Sequence, residues 1–380
     1  MRLDPITLAI AVTLLAGCWQ TGVHDGATAP DADTDCDTDC DTDCDTDCDT
    51  DADGDSDTDS DTSVVEECYD GTLTIYDDED AELAWQYPCI TGNLWLLGSV
   101  IESLSLPNLE WVGESIRVTD DNEQLQSIHL TGLLDVGQDV ELAFSPDAPL
   151  LETVGGELQI VGAVDLPSLE SVGGGIFLVS GSIDMQNLTA VGGSFTVEAS
   201  GDISLPALTT VDGSFYLTCY DWAPFEVSAP NLESIGYTLG LCCPEVESTD
   251  VFQSLTSVGG DVHIHSTLLT SLDGPGALET IGGALEVMEN PELTSLSALS
   301  GVTEISESVR ITDNDSLVDL DDLANLTSVG YKLWISNNDQ LPFCEICGLL
   351  DQLVGYPDVI TCHDNLADEC GTTSVSCSSW

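Results

Sequence analysis

Leu166-Pro167-Ser168-Leu169-Glu170-Ser171-Val172-Gly173-Gly174 returns with small changes along most of this chain. A second copy reads Ala229-Pro230-Asn231-Leu232-Glu233-Ser234-Ile235-Gly236. The Val or Ile at the corner serves as a marker. It recurs at Val112, Val136, Val154, Val172, Val191, Val211, Ile235, Val258, Ile281, Ile305 and Val329, at spacings of 18 to 24 residues. A period of this length means a solenoid, in which each coil buries its apolar side against the next. The expected fold is all-β, with about eleven coils.

After each corner comes a short alternating stretch, such as Leu285-Glu286-Val287, Val309-Arg310-Ile311 and Leu333-Trp334-Ile335. Alternation of period two turns the aliphatic residues inward and the middle residue outward. Asn290, Asn314 and Asn338 follow, each 24 residues apart, with Leu293, Leu317 and Leu341 at the same spacing. Stacked Asn side chains inside such a coil would satisfy backbone groups at the turn. The coils from Val154 to Val211 lack this leg, which accounts for their shorter period.

The repeated pattern L-x-x-L-x-x-V-G-G-x-L-x-I resembles the receptor L-domain over roughly residues 90–370. That family is a leucine-rich-repeat-like right-handed β-helix of receptor ectodomains and microbial surface proteins. The resemblance implies a binding or structural role and carries over no catalytic residues. Eleven coils are about twice the length of one such domain.

Composition narrows the partners. The chain has 380 residues, 70 Asp and Glu against four Lys and Arg, and a formal net charge of −66. Nucleic acid is excluded as a partner, because its phosphates require clustered cations. An apolar fraction of 42% is ample for a core. Fifteen cysteines suit an oxidising compartment.

The N-terminus explains that compartment. Arg2 precedes an apolar run from Ile6 to Ala16, of signal-peptide length and too short to span a bilayer comfortably. Leu15-Ala16-Gly17-Cys18 resembles the lipobox of bacterial lipoproteins. The resemblance implies cleavage after residue 17, acylation of Cys18, and membrane attachment through that lipid. Trp19 after the cysteine implies sorting to the outer membrane, and the chain is expected at the cell surface or on the periplasmic face.

Asp then occupies every odd position from Asp31 to Asp61. This segment has no apolar periodicity and repels itself, so it is expected to be a disordered, extended tether. Asp49, Asp51, Asp53, Asp55 and Asp57, with Gly54 at the turn, could bind Ca²⁺ weakly, but Ser60 stands where a bidentate Glu belongs. Cys36, Cys40, Cys44 and Cys48 recur every four residues and could pair locally or between molecules. No other cofactor is expected. The resulting division is a signal peptide at 1–17, anchor and tether at 18–63, an N-terminal cap at 64–93, the solenoid at 94–342 and a Cys-rich C-terminal cap at 343–380.

Cysteines in the folded part follow the repeat. Phe215, Leu217 and Cys219 align with Leu239, Leu241 and Cys243, 24 residues on. Neighbouring strands lie ~4.8 Å apart, so Cys219–Cys243 is the expected bridge, with Cys219–Cys242 the alternative. Cys68 and Cys89 would staple the N-terminal cap. Cys344, Cys347, Cys362, Cys370 and Cys377 belong to the C-terminal cap, with a short helix near Glu345–Val354.

The outward residues of successive strands form a row: Trp95, Arg117, Glu141, Gln159, Phe177, Thr196, Tyr216, Gly240, His263, Glu286, Arg310 and Trp334. Lys332 shares this face. Every basic residue beyond the signal peptide therefore falls on one sheet, among aromatics. Trp95, Arg117, Phe177, Tyr216, His263, Arg310, Lys332 and Trp334 are the candidate ligand face, for a protein or glycan. The bland alternative is that these few cations merely pair with Glu141 and Glu286. His263 and His265 share a face, but the sequence identifies no further metal ligands.

Catalysis is not expected. Lyases on parallel β-helices need basic residues beside the substrate, which are too few and scattered here. Asp120-Asp121 and the Asp313/Asp315 pair lie in turns, where Asp is common anyway. A recognition or adhesion protein is the leading expectation, a ligand-free structural envelope lipoprotein the second, and a polysaccharide-active enzyme a remote third.

Overall fold

The computed structural model describes residues 67–367, apart from 98, 99, 119–123, 220–223, 275 and 356. The signal peptide, Cys18, the tether with its Asp49–Asp57 carboxylates, Asp120-Asp121, Cys370 and Cys377 lie outside the described residues.

The fold is a parallel β-solenoid. One wall is a 14-stranded sheet running from Leu73–Ile75 through Leu94–Leu96 to Lys332–Ser336 and Val359–His363. A second wall is a 12-stranded sheet of two-residue strands, from Cys89–Ile90 to Ser328–Val329. Every corner marker read from the sequence is the second residue of one of these strands. Ile90 adds a twelfth, ahead of Val112. It escapes the motif because Thr91 separates it from Gly92.

The corner glycines exist because coils approach closely there. A Cβ on Gly155 would collide with the carbonyl oxygen of Gly137, one coil below. Inside, the aliphatic residues stack in rows. Leu158, Ile160, Leu166, Leu169, Val172, Ile176 and Leu178 are all essentially inaccessible, and they belong to one continuous core. The Phe195 and Phe215 rings of adjacent coils stack at 5.1 Å.

The third side changes along the stack. Across the middle coils, short and long alike, it is a five-stranded parallel sheet running from Val164–Asp165 to Val246–Thr249. Beyond it, the asparagine leg takes over. Asn290, Asn314 and Asn338 are completely buried. The side-chain oxygen of Asn314 accepts from the backbone N–H of Asn290 at 3.1 Å, and its amide donates to the Val287 carbonyl at 2.9 Å. Asn338 does the same for Asn314 and Ile311. The ladder runs further than the repeat suggested: Thr267 opens it and Asn365 closes it. The residue before each rung (Ser266, Glu289, Asp313, Asn337 and Asp364) has a positive φ of 53 to 59°. This sharp corner puts the following side chain inside.

The ends also carry strands. Leu73–Ile75 adds to the long sheet before Leu94–Leu96, and the helix Asp78–Trp85 follows it, capped by Asp77. At the other end the helix is Phe343–Gln352, two residues earlier than expected. The described part of the C-terminal cap is more than a lid, since Val359–His363 pairs with Lys332–Ser336 as the last strand. Cys68–Cys89 and Cys219–Cys243 are disulfides, with Cα–Cα distances of 4.6 and 5.5 Å. Cys344 and Cys362 are also disulfide-bonded.

Candidate binding face on the long sheet

The outward row forms as the spacing predicts. Consecutive strand registers join Trp95 to Arg117, Arg117 to Glu141, and so on through Gln159, Phe177, Thr196, Tyr216, Gly240, His263, Glu286, Arg310 and Trp334. Thr74 and Thr361 extend it at the two ends. Eleven strand steps from Trp95 to Trp334 at ~4.8 Å each make a row on the order of 50 Å long.

The row has three parts. Near the N-terminal end, the Arg117 Nε donates to Glu141 Oε2 at 2.6 Å. Asn93, Trp95, Ser115 and Asp139 complete a shallow cleft around this pair. Arg117 is thus spoken for by Glu141, as the bland reading of the cations requires. Both partners are solvent-exposed, so the pair contributes little stability.

The middle is aromatic and neutral. Phe177 and Tyr216 are half-buried on the outer surface. Tyr216 folds over the next coil, because Gly240 offers no side chain: a Cβ there would collide with the Tyr216 ring.

The C-terminal part holds the strongest concentration of charge. The Arg310 guanidinium carbon is 4.6 Å from the Trp334 ring centroid, and Lys332 Nζ is 3.7 Å from it. The indole N–H donates to Ser336 Oγ at 2.8 Å, which fixes the ring. Burial and the neighbouring Arg310 charge both hold the Lys332 pKa below its ordinary value. On the other side of Arg310 stands Glu286. Burial opposes its ionisation, but His265, His263 and Arg310 outweigh that and hold the carboxyl below the usual range.

Two features escaped the sequence reading. Glu286 contacts both histidines, with its Oε2 3.7 Å from His263 Nε2 and 3.4 Å from His265 Nε2. Glu198 lies one outward row over, between Val179 and Thr218, yet it is only 3% exposed. Burial raises its pKa, and its Oε2 has no hydrogen-bond partner among the described residues.

Asp313 is the positive-φ corner residue before Asn314, a structural use that suffices for it. Cys242 pairs across the sheet with Thr218 and His265, on the outward side, as expected once Cys243 takes the bridge. The Glu245 carboxylate abuts that bridge, 2.6 Å from Cys219 Sγ. Sulphurs joined in a disulfide are not thiolates, so this trio does not bind metal.

No protein-family model matches the chain, and no curated protein shows significant similarity to it.

Proposed function

We propose that the chain is a lipid-anchored cell-envelope protein of the outer membrane, displayed at the surface. It recognises a protein or glycan through the outward face of the long sheet. The observation that carries this reading is the Arg310–Trp334–Lys332 cluster. The folded part has a strong acid excess, yet two of its three cations converge on one indole. Aromatic rings beside Arg recur where interfaces draw their energy, and an indole face suits the apolar face of a sugar or a flat side chain. The likeness of the repeats to receptor L-domains points the same way. The proposed role is binding without turnover.

A structural envelope lipoprotein is the second reading. The Arg117–Glu141 pair and the placement of Glu286 beside Arg310 favour it, since such charges compensate one another without a ligand.

The test uses the full chain, acylated and held in detergent micelles, against a panel of glycans and envelope proteins. A variant carrying R310S, K332S and W334S is run beside it. Saturable binding that disappears in a variant with unchanged circular dichroism supports recognition through this face. Absence of binding by both forms supports the structural reading. Separately, Cys18→Ser should release the chain from the membrane fraction; retention there would overturn the anchor.

A further inference from the structure

We infer that His263, His265 and Glu286 form a site for a divalent transition-metal ion of the zinc class on the outward face of the long sheet. His263 and His265 alternate on the strand Val262–His265, so both imidazoles project to the same side. The strand Leu285–Met288 brings Glu286 directly opposite His263. A single carboxylate oxygen, Glu286 Oε2, faces both Nε2 atoms, at 3.7 and 3.4 Å.

These separations are the argument. A good N–H···O hydrogen bond is ~2.9 Å long, and both contacts are longer than that. Ligands bound at ~2.1 Å to a tetrahedral ion stand ~3.4 Å apart along each edge of the tetrahedron. The two nitrogen–oxygen distances match such edges. The third edge is open: the two imidazoles stack with centroids 5.4 Å apart, so the ion closes the site only when both rings turn toward Glu286.

The surroundings fit the same ion. Asp261 places Oδ2 3.8 Å from His263 Nε2, while its Oδ1 accepts from the Ala284 N–H at 2.7 Å and so holds the carboxylate in place. It is a second carboxylate beside His263. The three proposed ligands are largely withdrawn from water, with side-chain exposures of 17, 10 and 13%. Cys242 and Met288 flank His265 on the adjacent strands. Nitrogen ligands with sulphur neighbours select zinc-class ions over calcium or magnesium. Arg310, beside Glu286, works against affinity and keeps the site moderate.

The inference is independent of what the face recognises. Its test must separate one built site from many surface carboxylates. The full chain in micelles is equilibrated with Zn²⁺ in the presence of a large excess of Ca²⁺, which occupies simple carboxylates. Bound zinc is counted for the native chain, for H263Q/H265Q and for E286Q. The native chain should retain one equivalent more than H263Q/H265Q, and E286Q should bind that equivalent at least roughly tenfold more weakly. Equal zinc in the native chain and a folded H263Q/H265Q would overturn the site and place the metal elsewhere, for example on the Cys36–Cys48 repeat. Should the double variant not fold, the native chain is modified with diethyl pyrocarbonate and mapped by mass spectrometry. Zinc should protect His263 and His265 while leaving His129 reactive, and unchanged modification of His263 and His265 would overturn the inference.

Discussion

Arg310 and Trp334 stand directly opposite one another on adjacent coils, with the guanidinium carbon 4.6 Å from the indole centroid. The same ring carries Lys332 at 3.7 Å. Two like charges repel, so the indole is what holds them together. A double-mutant cycle over Arg310→Ala and Trp334→Ala, read by urea unfolding, should give a coupling of about 0.5–2 kcal/mol. Additive effects would mean that the stacking carries no energy.

The asparagine ladder predicts a steeper loss. Replacing Asn314 by Ala leaves the Asn290 N–H and the Val287 carbonyl without their partners. Each orphaned buried group costs about 1–3 kcal/mol. Asn314→Ala should therefore destabilise by several kcal/mol, whereas Asn325→Ala, which frees only an exposed amide bonded to the Ser300 carbonyl, should be mild. Comparable unfolding midpoints for the two variants would contradict the ladder.

Glu198 predicts a pH-dependent gain. Its folded pKa is raised by burial, so folding favours the protonated form. The penalty is absent below the unfolded pKa and grows as pH rises through the window up to the folded value. Glu198→Gln should raise the melting temperature at neutral pH, and the difference should vanish in acid. A difference that is independent of pH would show that the carboxyl does not titrate with folding.

The disulfide Cys219–Cys243 closes a loop with a sequence separation of 24. Loop-closure entropy for that length is worth roughly 3 kcal/mol. The pair variant C219S/C243S should lose about this much in unfolding free energy while keeping its sheet spectrum. Loss of the spectrum would show that the bridge is needed to form the coils at all.

Most of the architecture was legible because a solenoid repeats one local problem. The period fixed which residues stack, so the Val172–Val191 contact and the whole row from Trp95 to Trp334 followed from counting. The same arithmetic put Cys219 beside Cys243. Where the motif was interrupted the reading stopped short: Ile90 lacks the adjoining glycine, and Thr267 and Asn365 serve as rungs from outside the regular spacing. The C-terminal strand Val359–His363 has no marker of its own. In the site, period counting made His263 and Glu286 neighbours, but their convergence with His265 depends on side-chain rotamers, which no spacing encodes. Glu198 shows the converse limit, since alternation gives a direction and says nothing about what covers the side chain.

The coils of this stack touch only their neighbours, which gives the molecule a mechanical character. Pulled from its two ends, such a stack does not yield everywhere at once; it peels, one coil after another, from whichever end gives first. The Cys219–Cys243 bond joins the two coils that follow the corner markers Val211 and Ile235. Whatever force draws the chain out, the residues between the two sulphurs cannot be extended. The bond sets a covalent limit on stretch near the middle of the solenoid, a property that no single coil possesses.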